Sequence, residues 1–135
     1  MKRTGIALLL VLALLLTGCG GKTRQVVVEP WESQLYSDED VQQAVDVVCR
    51  YFQQNFGGCT LVWLGYAGDE RQEVFQEWAQ QYDMDQVIIL TSEFDVDGRG
   101  GAQRVLEPHA TYTNFQWILA RDAGGTWQHK DHGYG

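Results

Sequence analysis

The residues best equipped for chemistry lie near the end of the chain. The stretch WQHKDHGYG, Trp127 to Gly135, holds His129, Asp131 and His132. A histidine beside an aspartate can act as a general acid/base pair. Asp131 and His132, with Tyr112 upstream, are the candidate catalytic residues if their side chains converge on one pocket. On a regular strand alternate residues share a face. His129 and Asp131 would then point one way and His132 the other, a poor arrangement for gripping one metal ion. The competing reading is a strand-end histidine bonded to backbone or solvated. His109, after Pro108, has no partner in sequence and receives no role.

A second candidate is SEFDVDGRGG, residues 92–101, where acids alternate and glycines follow. A helix–loop–helix calcium site needs oxygens at positions 1, 3 and 5, Gly at 6 and a bidentate Glu at 12. With Gly98 at position 6, Glu93, Asp95 and Asp97 fit, but position 12 is Arg104. With Gly100 at position 6, position 5 is Arg99 and position 12 is Leu106. Both registers fail, so Asp and Gly here are expected to serve turn geometry. A weak cation site of another kind stays open as an alternative. No Gly-rich phosphate loop, CxxC or GxSxG occurs, and no cofactor is implied.

The N-terminus states location. Lys2 and Arg3 precede the apolar run IALLLVLALLL, residues 6–16, and then Leu16-Thr17-Gly18-Cys19. A basic start, a short apolar core and small residues form a secretory signal. The run is shorter than the roughly 20 residues of a spanning helix. LTGC resembles the lipobox of bacterial lipoproteins. That resemblance implies cleavage before Cys19 and a diacylglycerol, with acyl chains such as palmitate, on its thiol. Residues 1–18 are then a signal peptide, 19–34 the lipidated Cys and a flexible tether in which Val26 to Val28 could pair as a short strand, and 35–135 one domain. The expected location is the outer side of the cell membrane, held through Cys19. Cleavage removes Lys2 and Arg3 and no acid, leaving 8 basic against 18 acidic residues, a net charge of −10. That balance argues against nucleic acid, which binds by neutralised phosphates. It also argues against flat adsorption on anionic lipid. A protein or small-molecule partner is left open. Cys49 and Cys59 could pair in an oxidising compartment or stay as two thiols.

The elements that must position these residues follow from periodicity. Ser37-Asp38-Glu39-Asp40 caps a helix whose apolar stripe is Val41, Ala44, Val45, Val48, Cys49 and Phe52, ended by Gly57-Gly58. Residues 59–66 read as a strand. A second helix opens at 68–70 with its stripe at Val74, Phe75, Trp78, Ala79 and Tyr82. Residues 86–94, 111–121 and 126–132 read as strands, the last two joined by the turn 122–125. The expected class is α+β: a curved, mainly antiparallel sheet of about four strands on a long first helix, with a second helix between strands 1 and 2.

The segments YSDEDVQQAVDVV, NFGGCTL and TYTNFQWILARDAGGTWQHKDHGYG resemble lipoproteins of gut Firmicutes related to the cystatin-like and nuclear-transport-factor-like superfamily. The resemblance spans about residues 35–135. It implies a curved sheet wrapped on a long helix and carries no assigned reaction. The wider superfamily holds isomerases and hydrolases using Asp or His inside the cone, and many non-catalytic binding modules. The resemblance therefore implies an extracytoplasmic lipoprotein that binds a ligand or partner. The alternatives are a small enzyme with a polar cone pocket and a weak calcium-dependent interaction module.

Overall fold

In a computed structural model of the chain, residues 20–101 and 106–134 are described. The signal segment and Cys19 lie outside them. The elements are β1 (Val27–Val28), α1 (Asp38–Asn55), β2 (Cys59–Tyr66), a 3₁₀ turn (Asp69–Arg71), α2 (Gln72–Tyr82), β3 (Gln86–Val96), β4 (Thr111–Arg121) and β5 (Gln128–Tyr134). The class is α+β, as expected, with five strands instead of four in the order β1-β2-β3-β4-β5. Strands β2 to β5 pair antiparallel, and β1 adds parallel to β2.

Both helices pack on the sheet, from opposite sides. The stripe Val41, Ala44, Val45, Val48 and Phe52 of α1 meets Leu61, Leu64, Leu90, Phe94, Trp117 and Leu119. On the reverse face Phe75 and Ala79 of α2 meet Val87, Ile89, Ile118 and Ala120. Side chains alternate across a strand, so β3 and β4 feed two cores at once. That is why Val87–Leu90 is an unbroken apolar run, the mark of a strand covered on both faces. The expectation of a sheet wrapped on one helix omits this second layer.

The capping box forms as read: Ser37 Oγ accepts from Asp40 N at 3.1 Å, and Asp40 Oδ2 accepts from Ser37 N at 3.2 Å. Asp40 has a second task. Its Oδ1 takes Arg121 Nη1 at 2.9 Å, and Arg121 Nε donates to Gln86 Oε1 at 2.8 Å. The guanidinium also lies 4.2 Å from the Trp127 ring, whose Nε1 donates to the Asp40 carbonyl. The bond from Arg121 holds the Asp40 carboxyl below the ordinary carboxylate range. One cluster thus joins the start of α1 to the ends of β3 and β4 and the approach to β5.

The stretch 20–34, expected to be a tether, is paired to the domain instead. Gly21 N donates to Gln53 O (3.1 Å), Lys22 N to Cys59 O (3.0 Å), and Leu61 N to Lys22 O (2.8 Å). Val27 and Val28 then lie beside Trp63 and Leu64. Ser33 Oγ and Tyr66 Oη both donate to Asp69 Oδ1, at 2.7 and 2.6 Å. The two glycines read as flexibility, yet they answer a close approach. A Cβ on Gly20 would stand 1.6 Å from Gln53 O, and one on Gly21 2.4 Å from Phe52 O.

Replacing Asp40 by Ala removes half the capping box and leaves the mostly buried Arg121 without its carboxylate. We expect a loss of about 2–3 kcal/mol in urea unfolding, from cap and buried-charge terms. A change under about 0.5 kcal/mol, the size of an ordinary surface substitution, would show that the cluster is incidental.

Candidate functional site

Strand β5 does not run as a regular strand. Asp131 pairs with Ile118 and His129 with Leu119, so Lys130 is an extra residue in the ladder. Such a bulge places two residues against one and shifts the alternation. His129 and His132 therefore share the face of Trp117 and Leu119, and Asp131 takes the opposite face with Ile118. This reverses the expected arrangement. The sequence carries no glycine or proline at 130 to announce a bulge.

The two imidazoles meet, with His129 Nε2 3.0 Å from His132 Nδ1. His129 stacks on Tyr51 of α1 at 3.7 Å between centroids and 15° between planes. His132 lies edge-on to Phe56 at 5.3 Å, stacks with Phe115 at 5.7 Å and sits 5.2 Å from Trp117. Burial against these rings pushes the His129 pKa down to about 4, with the His132 neighbour adding to the effect. Burial also lowers His132, while Asp131 opposes the shift in both. Neutral rings explain the distance: one N–H donates and the other nitrogen accepts. A tetrahedral metal with bonds of about 2.0–2.1 Å would hold its nitrogens about 3.3 Å apart. No group of three His, Cys, Asp or Glu suited to a metal exists among the described residues.

Tyr112 is not a third member. Its ring stacks on Phe94 at 5.2 Å, and its hydroxyl accepts from Glu107 N at 3.2 Å. It holds the loop before β4, with Phe115 between it and His132. Asp131 Oδ1 accepts the backbone N–H of His132 at 2.8 Å, and its carboxylate touches the neighbouring backbone instead of the ring nitrogens. The proposed trio of Asp131, His132 and Tyr112 does not converge. Sequence reasoning also missed Ser92, buried among the rings of the α1 face. Its Oγ accepts from Trp117 Nε1 at 2.8 Å and donates to Phe115 O at 3.0 Å.

The acidic loop behaves as the turn reading expects. Asp97 Oδ1 accepts from Arg99 N at 2.8 Å, closing an Asx turn, and Asp95 Oδ1 accepts from Thr111 Oγ1 at 2.7 Å. Gly100 and Gly101 have φ of 88° and 71°. Glu93 sits mid-strand opposite Trp63, apart from the turn. His109 caps the loop: its N–H donates to Asp97 O at 3.0 Å, and a Cβ on Gly98 would meet its ring at 3.0 Å.

Cys49 and Cys59 are not bonded to each other. From Cys49 the helix climbs six residues to Asn55, about 9 Å at 1.5 Å each, before β2 starts at Cys59. Disulfides need Cα atoms within about 7 Å. Burial raises the Cys49 thiol pKa, so that thiol is held in its less reactive form.

No protein-family model, curated protein or solved structure matches this chain.

The histidines give a directional test. Their folded pKa lies below the unfolded value, so the unfolded chain binds more protons between about pH 6.5 and 4. Stability is full above that window and falls as the pH drops through it. Both rings are partly solvated, which reduces the effect to about 1 kcal/mol. Urea midpoints from pH 7.5 to 4 should show this slope, and His129→Phe with His132→Phe should flatten it. An unchanged slope in the double variant would refute the assignment.

Proposed function

We propose that this chain is an extracytoplasmic bacterial lipoprotein, anchored through a diacylglycerol on Cys19, whose domain binds a ligand or partner without chemistry of its own. The observation that carries the reading is Leu16-Thr17-Gly18-Cys19 at the end of the apolar run 6–16. A thiol after two small residues is what a lipid-transferring enzyme and its peptidase can reach. Secretory signals place such segments across the membrane during export.

The non-catalytic reading is supported by the scatter of the polar candidates. Asp131, His132 and Tyr112 each have a structural partner, and their functional atoms face different neighbours. Two clefts on the described surface are shallow and open to solvent. One of about 420 Å³ is bounded by Pro30, Trp31, Asp38, Glu39 and Gln42, and another by Gln76, Ala79, Asp83 and Asp85. A Trp beside exposed carboxylates is suited to recognition rather than to proton transfer between converging groups.

In a bacterial host fed an alkyne analogue of palmitate, the chain should partition with membranes and take up the label. Cys19→Ser should lose both. A wild-type chain recovered unlabelled from the soluble fraction with Met1 intact would refute the anchor.

A further inference from the structure

The way residues 20–22 are held fixes which end of the domain meets a membrane. We infer that the surface built by the end of α1 and the loops 56–58, 97–101 and 106–110 lies against the lipid headgroups. The inference rests on the lipid anchor proposed above, and it specifies the partner surface of that anchor.

The argument starts from chain geometry. Cys19 is one peptide from Gly20, and neighbouring Cα atoms are about 3.8 Å apart. Gly20 is pressed against Gln53 O, Gly21 bonds to Gln53 O, and Lys22 bridges to Thr60 and bonds on both sides to β2. No slack remains between the anchored residue and the folded domain. The acyl chains must leave from beside the C-terminal end of α1.

The strand directions define what else stands at that end. Strand β2 leaves it at Cys59, β3 returns to it at Val96, β4 leaves at Thr111 and β5 returns at Tyr134. The loops pack there as one surface. Asp97 N donates to Gly58 O at 2.8 Å, His109 N to Asp97 O at 3.0 Å, and Leu106 N to Gly100 O at 3.1 Å.

Charge is distributed to match. Among the described residues, the exposed charged groups at the base are Lys22 and Arg99 against Asp95, Asp97 and Glu107, close to balance beside the exposed His109. The far end carries Asp38, Glu39, Glu70, Asp83, Asp85 and Asp122, all exposed. The 11 residues of β3 separate the two ends by about 33 Å. That is about four screening lengths at physiological salt, so the acids escape repulsion by an anionic bilayer. The clefts beside Trp31 and Asp83 open at the far end, toward whatever approaches from outside.

The test uses the mature lipoprotein purified from membranes and reconstituted in phosphatidylcholine–phosphatidylglycerol vesicles. An azido-phenylalanine in place of exposed Arg99, or of exposed Ala123 at the far turn, carries an environment-sensitive fluorophore. Lipids with a nitroxide on the headgroup quench only nearby dye. Position 99 should lose about half its emission or more, and position 123 should be unchanged. A twelve-residue Gly/Ser insertion between Cys19 and Gly20 adds a coil of about 20 Å and should relieve the quenching at 99 while the protein stays bound. Intact mass of the same sample separates the failures. An acylated protein with position 99 unquenched, or with both positions quenched alike, overturns the orientation alone. An unacylated protein overturns the anchor and the orientation together.

Discussion

Everything in this fold depends on β3 and β4 being covered on both faces. Leu90, Phe94, Trp117 and Leu119 need α1, and Val87, Ile89, Ile118 and Ala120 need α2. Neither helix alone removes the sheet from water. A residue slip in the β3–β4 pairing would move each set into the wrong core, so register is fixed from two sides. The placement of every other feature follows. The helix between β2 and β3 crosses over one face, the helix between β1 and β2 over the other, and the sheet edges are left to the short β1 and the bulged β5.

The α1 face is unusual in being filled by rings. Phe52, Phe56, Phe94, Phe115 and Trp117 meet at centroid distances between 5.0 and 6.2 Å. Phe52 and Phe56 are stacked and the other pairs tilted or edge-on, and aromatic pairs add about 0.5–1.5 kcal/mol each beyond buried area. Rings carry few polar atoms, so each one must be matched. Ser92 answers the Trp117 indole, and the two histidines answer each other. The bulge at Lys130 is what lets a chain ending in a solvent-exposed edge contribute two half-polar rings to that face. The cost is a strand that loses stability when those rings are forced to take protons.

Much of this was legible in the residues. Strands 59–66 and 111–121 begin and end where their β-branched and aromatic runs do, and Ser37 to Asp40 announces α1. What failed did so for identifiable reasons. A bulge is set by pairing with a neighbour, so nothing inside QHKDHGY marks Lys130. Gly20-Gly21 has the composition of a linker, because a glycine chosen for close approach is indistinguishable in sequence from one chosen for freedom. Arg121 looks like a strand-end charge, and only the fold brings it to Asp40, 81 positions away. Asp131 beside His132 looks like a pair, but adjacent strand residues face opposite ways.

The glycine pair also changes how the acidic balance should be understood. On the lipid anchor proposed above, an acidic domain at the end of a long flexible tether could drift to any orientation, and its charge would act only as general repulsion. Held through Gly21 and Lys22 beside such an anchor, the same charge would act as a torque. The nearly balanced base could then approach lipid, and the acids of the α1 N-terminus and the 83–85 and 122–125 turns would be driven outward. The helix dipole of α1 works weakly against this, since its negative C-terminal pole lies at the base. Its positive end is occupied by Asp38, Glu39 and Asp40 at the far end, and its last turn holds no basic residue. The close approach of two residues without side chains thus converts a composition bias into a directional one.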